Sequence, residues 1–358
     1  MKPPDTLVRR RALLRGLNRA GANPRPNTAP PAALLRAQRP AMGSYFEVAL
    51  PANAPAALAL AERALDRIEA LEAQMTIYRD DSELAAINAH AHEQPIPVEP
   101  KLFGLLQRAI ALSQATSGAY DVTSGALSLA WGFVRGPKRV PDPVTLAAAR
   151  ERSGFQRVTL DPARRTIHFQ CPGIVLNLGS IGKGFALDEA AAIVREHWWP
   201  TPALLHGGHS SALAVGSPPD QFGGRWPIAL RDPLSPARPL GTIHLRNRAL
   251  GTSGNAFQTF TADGVEYGHI LDPRTGSPAQ VEALSVTVLA PTAADADALS
   301  TAFTLLGPRE AIRYCQLHPK VGAIFVSRHP NDPARSILQL INLTSNDFTP
   351  TDPPTPPL

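Results

Sequence analysis

The chain has 358 residues, 44% hydrophobic and 18% charged, an ordinary globular balance with ample material for a core. Its formal charge of +5 is unevenly placed, because residues 1–40 carry nine Lys or Arg against one Asp and the remainder is close to −3. The basic pI therefore comes from that segment and is no evidence for a basic nucleic-acid groove, and two cysteines, Cys171 and Cys315, are too few for a disulfide framework.

The 37 prolines concentrate toward both ends. Residues 1–40 read as a basic, Pro-rich, disordered tail and 344–358 as a second Pro-rich tail, around a folded region 41–343. The first tail reads as solvated, with contact to anionic lipid or nucleic acid as the alternative. Arg9-Arg10-Arg11 is not followed by the apolar stretch that an export signal needs, and no lipobox cysteine lies near the start. No run of about 18 apolar residues occurs. The expectation is no stable membrane insertion and a cytoplasmic location for the chain as written.

In chain order, Met42–Leu50 reads as a strand with Phe46, Val48 and Leu50 on one face. Residues 56–75 form an amphipathic helix, its stripe running through Leu58, Ala61, Leu65, Ile68, Leu71 and Met75. Ser82 can cap a short helix to Ile87, and a longer helix over 101–116 stops at Ser117-Gly118. A helix over 144–152 precedes a hairpin of 155–160 and 166–170 around Asp161-Pro162. Residues 173–178 read as a buried strand that feeds a Gly-rich turn and a helix to about Trp198. Strands are expected near 203–215, 226–230, 241–245 and 284–289. A helix spans 292–306, Pro308 opens another, and 321–326 and 337–341 are strands. Strands of this kind mixed with helices give an α+β fold.

Four segments carry candidate chemistry. Asn177 to Asp188 (Asn-Leu-Gly-Ser-Ile-Gly-Lys-Gly-Phe-Ala-Leu-Asp) places glycines and Lys183 at a helix start, where backbone N–H groups and the helix dipole attract anions. It is neither a dinucleotide fingerprint nor a P-loop, and a plain tight turn is the alternative. Gly251–Gly254 is followed by Tyr267–Gly276, where His269, Asp272 and Arg274 share a polar loop fixed by Pro273 and Gly276. His is the natural base near neutral pH; a simple turn with a satisfied Asp is the other reading. In Thr292–Thr301, Asp297 and Thr301 share one helix face, a pairing that suits a hard cation such as Mg²⁺. Thr292 and Asp295 instead resemble a capping box, so Asp295 reads as structural. Thr116–Val122, followed by Trp131-Gly132-Phe133, either admits a flat ring or ends a helix against core aromatics.

Together and in this order, these pieces resemble the ApbE family of FAD:protein FMN transferases over roughly Ala41–Val326. Met42-Gly43-Ser44, Ser82-Glu83-Leu84 with Ile87-Asn88, Gly118–Val122, the Lys183 turn, His206–His209, Thr252–Gly254, His269–Pro273 and the Asp297 helix are similar to family segments. The resemblance implies an α+β, T-fold-like domain of mixed, largely antiparallel sheets packed with helices. It implies Mg²⁺-dependent transfer of FMN from FAD to a Thr or Ser hydroxyl of a redox protein, with release of AMP. Carried over, Met42, Tyr78, Gly118, Ala119, Tyr120, Asn177, Lys183 and Leu271 line the FAD. Ser180 (by its carbonyl), Asp297, Ser300 and Thr301 hold the metal; His269 acts as base and Asp272 orients its loop. Asn177 and Ser300 stand where relatives carry acids, and His209-Ser210 replaces an Asp-Ile pair. Asn177 and Ser300 motivate a non-catalytic flavin-binding protein as one alternative, and an FAD pyrophosphatase on the same scaffold is the other. By the same resemblance, a periplasmic or membrane-associated location is the alternative to the cytoplasm.

Overall fold

The computed structural model describes residues 33–219, 222–254, 259–279 and 283–351. The described residues open with an antiparallel hairpin of β1 (Leu34–Ala41) and β2 (Ser44–Pro51), joined through Met42-Gly43. Both turn residues have positive φ, 50° and 70°, which a two-residue hairpin turn requires. Glycine adopts this freely. Met42 is held there by its N–H, which donates to the Glu72 carboxylate at 2.6 Å.

From there follow α1 (Ala57–Met75), α2 (Glu83–His90), β3 (Ile96–Pro97), α3 (Pro100–Ala115), α4 (Gly125–Ala130) and α5 (Pro143–Glu151). Then come β4 (Val158–Asp161), β5 (Thr166–Phe169), α6 (Gly182–Arg195), β6 (Ala203–Gly207), β7 (Ser211–Val215), β8 (Trp226–Arg231) and β9 (Pro239–Leu245). The chain continues through β10 (Ala249–Gly254), β11 (Thr259–Ala262), β12 (Val265–Gly268), β13 (Ala283–Ala290), α7 (Ala293–Leu317), β14 (Gly322–His329), β15 (Asp332–Ile341) and β16 (Phe348–Pro350).

Eight strands form one antiparallel sheet in the order β1-β2-β6-β7-β10-β13-β14-β15. Alternate residues point to opposite faces, and here both faces are covered. Phe46, Val48, Leu213, Val215, Val286 and Val288 point into the main core with α1, α6 and α7. Ala49, Ala212, Ala214 and Leu289 meet a second core under the small sheet β16-β9-β8, around Trp226 and Phe348. Double-sided burial explains why these strands read as apolar runs rather than as alternation.

Several expectations need correction. Residues 34–40 are a strand, so the tail boundary at residue 40 is too late. β1 is the edge of the sheet, where the missing N–H of Pro40 costs no ladder bond, and Arg39 reaches Asp66 and Glu69 on α1. Residues 1–32 of the expected tail lie outside the described residues, as do 352–358. Within the expected second tail, β16 pairs with β9 and buries Phe348.

Residues 173–178 form no strand, and Gly173 lies in a turn with φ 82°. Val175 makes a lone bridge to Ser124, and the Asn88 amide takes both backbone groups of Leu176, at 2.8 and 3.1 Å. A side chain thus occupies the positions that a pairing strand would need. The apolar run 203–215 is a hairpin of two strands, turned at Gly208 with φ 66°. The two helices expected after residue 292 are present: the run Ala293–Leu317 is parted into two at Gly307, φ 74° and ψ 176°, just before Pro308.

Candidate active site

The first turns of α7 are clamped from three sides. Thr292 caps the helix, its hydroxyl accepting from Asp295 N–H at 3.2 Å. Asp188 reaches across from α6 and accepts from the N–H groups of Ala293 and Ala294, at 2.8 and 2.9 Å. Asp295 turns away to a two-pronged pair with Arg108, at 2.6 and 2.8 Å, so its carboxylate is structural. Gly184 and Gly251 allow the third contact. A Cβ on Gly184 would lie 2.1 Å from Ala293 O, and one on Gly251 would lie 2.5 Å from Ala296 C. Only glycine lets the start of α6 and strand β10 come this close.

This clamp places Asp297. Its Oδ2 accepts from Gly184 N–H at 2.7 Å and its Oδ1 from the Ser211 hydroxyl at 2.7 Å. Burial pushes its carboxyl up to about 6, against the opposing pull of the Lys183 charge and of the bonds from Ser211 and Gly184. One turn on, the Ser300 hydroxyl donates to Asp297 O at 2.8 Å, and the Thr301 hydroxyl lies 3.4 Å from the same oxygen. Ser253 on β10 joins them, 2.8 Å from Ser300 Oγ and 3.1 Å from Thr301 Oγ1. The result is a buried carboxylate beside a row of hydroxyls. Ser180 sits in the turn that opens α6, where Asn177 Oδ1 accepts from Gly179 N–H at 2.9 Å.

Among the described residues, no group of three or more His, Cys, Asp or Glu could hold a metal. The Asp297 set has one carboxylate and otherwise neutral oxygens. It fits a hard cation that takes its other ligands from water and phosphate, and it does not fit zinc or copper.

The loop after β12 is a second cluster. Tyr267 stacks on Phe260 across the β11–β12 hairpin, ring centroids 5.4 Å apart, and lies 5.5 Å from the Trp131 ring. Trp131 Nε1 donates to Gly276 O at 2.8 Å. Leu271 is buried against Leu127, Ala130 and Trp131. His269 is half-buried between these anchors. The Asp272 carboxylate accepts from the Arg274 backbone at 2.9 Å and from its guanidinium at 2.8 and 2.7 Å. Burial opposes ionisation of Asp272, but the Arg274 bonds and charge outweigh it and hold the carboxyl below its usual range.

A third group borders the first. Asp121 accepts from Thr123 and from Phe155 N–H, folding Gly118–Val122 into a tight segment. Asn177 N–H donates to Val122 O at 2.8 Å and ties this segment to the Lys183 turn. Ala119 and Tyr120 are buried, and the Tyr120 hydroxyl has no hydrogen-bond partner among the described residues. Burial raises its pKa, helped by the charges of Asp121 and Asp297. Met42 is partly buried at the hairpin turn, whereas Tyr78 is 64% exposed on a loop after α1.

The structure therefore brings Lys183, Asp297, Ser300 and Thr301 together with the Ser180 turn. His269, Leu271 and Asp272 form their own cluster. Sequence reasoning missed Ser211, and it gave no role to Asp188 or Ser253 although both lie in segments it singled out. For Asp188 there was a signal: it follows Gly184 by four residues and so shares the helix face that meets α7.

Residues 42–325 match the ApbE family. The FAD:protein FMN transferase of Treponema pallidum (strain Nichols) is 33% identical over 297 residues, 80% of this chain and 82% of that protein. The FAD:protein FMN transferase of Haemophilus influenzae is 32% identical, covering 72% of this chain and 77% of its own length. The solved flavin transferase ApbE of Vibrio cholerae has a TM-score of 0.76 at 27% identity, over 87% of this chain and 98% of that one. The ApbE protein of Thermotoga maritima gives 0.75 at 27% identity, over 82% and 94%. The α+β architecture of antiparallel sheets and helices is shared with these structures almost end to end, and the chain belongs to the ApbE family.

Proposed function

We propose that this protein is an Mg²⁺-dependent FAD:protein FMN transferase that attaches FMN to a Thr or Ser hydroxyl of a redox protein and releases AMP. The observation that carries this reading is the buried Asp297 carboxylate, which accepts from the Gly184 N–H at a helix start and from the Ser211 hydroxyl, on a helix whose next turn carries the Ser300 and Thr301 hydroxyls against Ser253. Asp297, Thr301, Ser300 and the Ser180 carbonyl are the residues to hold Mg²⁺. Bound there, the ion supplies charge neutralisation on the FAD pyrophosphate.

FAD is the substrate. Met42, Tyr78, Gly118, Ala119, Tyr120, Asn177, Lys183 and Leu271 are its proposed contacts. Ala119 and Tyr120 are buried, so their part is to shape the wall of the site through the Gly118–Val122 backbone. The acceptor hydroxyl forms a new bond to the FMN-side phosphorus, and the bond from that phosphorus to the bridging oxygen breaks. Electrons leave with AMP, and His269 takes the hydroxyl proton. Lys183 and the backbone N–H groups of the turn offset negative charge on the phosphates. Asp272 is a positioning residue, since its carboxylate is fully engaged in shaping the His269 loop.

The test is incubation with FAD, Mg²⁺ and a target protein carrying an acceptor Thr. Flavin fluorescence should remain on the denatured target. Free FMN and AMP without labelled target would identify a pyrophosphatase, and bound FAD with no turnover would identify a binding protein.

A further inference from the structure

A groove of about 560 Å³ is lined by α4, by α5 and by the segment of Gly173 and Val175. Helical spacing builds its walls. α5 offers Val144, Ala148 and Arg152, four residues apart on one face, and α4 offers Ala126, Leu129 and Ala130 at three- and four-residue steps. Val144, at the start of α5, is 80% exposed. An apolar floor is thus left open to solvent.

The only charged residues that line this groove are Arg139 and Arg152. Arg139 Nε donates to Ala130 O at 3.3 Å. The Arg152 stem lies over Gly173, where a Cβ would stand 2.8 Å from Arg152 Cδ. Both side chains are therefore held at the wall, and neither has a carboxylate partner among the described residues. Asp142 opens α5, but its carboxylate is taken up by the helix cap, accepting from the N–H groups of Val144 and Thr145 and from the Thr145 hydroxyl, at 3.0, 2.9 and 2.6 Å.

The groove adjoins the His269 loop. A second face of α4 carries Leu127 and Trp131, which pack with Leu271, and Trp131 holds Gly276. From α5, the Arg150 guanidinium donates to Arg274 O at 3.1 Å. The width of α4, about 10 Å, separates groove from loop. About three residues of extended chain span that distance.

We propose that this groove seats a segment of the acceptor protein that carries carboxylates among apolar side chains, and so brings the acceptor hydroxyl to His269. The inference rests on the FMN-transferase reading. A guanidinium takes a carboxylate in a two-pronged, charge-assisted pair. A purely apolar segment would cover both cations without pairing them, and a small hydrophilic anion would leave the apolar floor wet. An acidic and apolar segment satisfies both halves of the lining.

The test uses the full chain and, as probe, the purified, FMN-free redox protein that the wild-type chain labels. Transfer is measured against acceptor concentration at saturating FAD and Mg²⁺. Arg139→Glu/Arg152→Glu, and separately Ala148→Trp, which fills the groove, should each raise the KM for acceptor by about tenfold or more. The kcat at saturating acceptor, FAD affinity and thermal unfolding should stay unchanged. Arg139→Lys/Arg152→Lys should keep most of the affinity, and added salt should raise the wild-type KM but not that of the Glu variant. A wild-type KM in either the Glu or the Trp variant would overturn the groove alone. So would a fall in kcat or FAD affinity at unchanged KM, because the arginines would then belong to the framework of the site. No labelling of any acceptor by the wild-type chain would overturn the FMN-transferase reading, and the groove with it.

Discussion

The Asp297 pocket and the His269 loop are built in opposite ways. Asp297 owes its position to distant chain: Gly184 and Ser211 bond to it, Asp188 caps its helix, and Gly251 lets a strand press against the helix backbone. The His269 loop holds much of its own shape, with Asp272 and Arg274 two residues apart closing a turn that Gly276 ends. From outside it is tied by Trp131 Nε1, which donates to Gly276 O, and by the Arg150 guanidinium, which donates to Arg274 O at 3.1 Å. One region is a product of packing and the other of local turn chemistry, so damage should spread differently from each.

The largest expected effect is at His269. His269→Ala should lower single-turnover FMN transfer by about 10²–10⁴, with thermal stability nearly unchanged because the loop keeps its Asp272–Arg274 turn. Full single-turnover transfer in this variant would remove His269 from the role of base.

The pocket should instead show itself in stability. Burial pushes the Asp188 carboxyl up to about 7, against an unfolded value of 3.8, despite the bonds from Ala293 and Ala294. Over that interval the folded protein holds a proton that the unfolded chain has released. This contribution to stability is fully present below the unfolded value and is lost as pH rises through the folded one. It amounts to at most about 4 kcal/mol. Denaturant unfolding of the metal-free protein from pH 4 to 8 measures it, and Asp188→Asn should flatten the slope. An unchanged slope in that variant would show that other groups set it.

Gly251→Ala probes the close approach of β10 to α7. The added methyl meets the Ala296–Asp297 backbone, and overpacking of this kind costs about 1–3 kcal/mol. Because the shift falls on Asp297, the Mg²⁺ concentration needed for half-maximal transfer should rise as well. A variant with wild-type stability and Mg²⁺ requirement would mean that the helix moves without consequence.

The smallest effect belongs to the loop's anchor. Trp131→Phe keeps the aromatic packing but leaves Gly276 O without its donor, a loss of about 1 kcal/mol. Transfer should fall only a few-fold, at unchanged Mg²⁺ requirement. A rise in that requirement would couple the two regions and break the contrast between them.

Legibility in the sequence follows the same division. Helix 292–306, its Thr292 cap and the Asp297/Thr301 face were readable because i,i+4 spacing is local. The turn at Asp272 was readable from Asp-Pro-Arg-Thr-Gly. β1 was missed because Pro40 and its arginines resemble a tail, and only edge placement makes them compatible with a strand. The segment 173–178 was read as a strand because its apolar pattern is that of one. What cancels the pairing is an amide from Asn88, 88 residues away from Leu176 in the chain.

The sequence by itself determined the family, most of the helices and the residue types of Asp297 and its helix face, since motif spacing and hydrophobic period are properties of the chain. Only the tertiary structure decided that Ser211, Ser253 and Asp188 serve the same pocket, that Asp295 belongs to Arg108, and that Tyr120 is buried with its hydroxyl unpartnered among the described residues. The reason is physical: a hydrogen bond or a close backbone approach between residues about a hundred positions apart is set by how the sheet and helices pack, and local sequence carries no record of it.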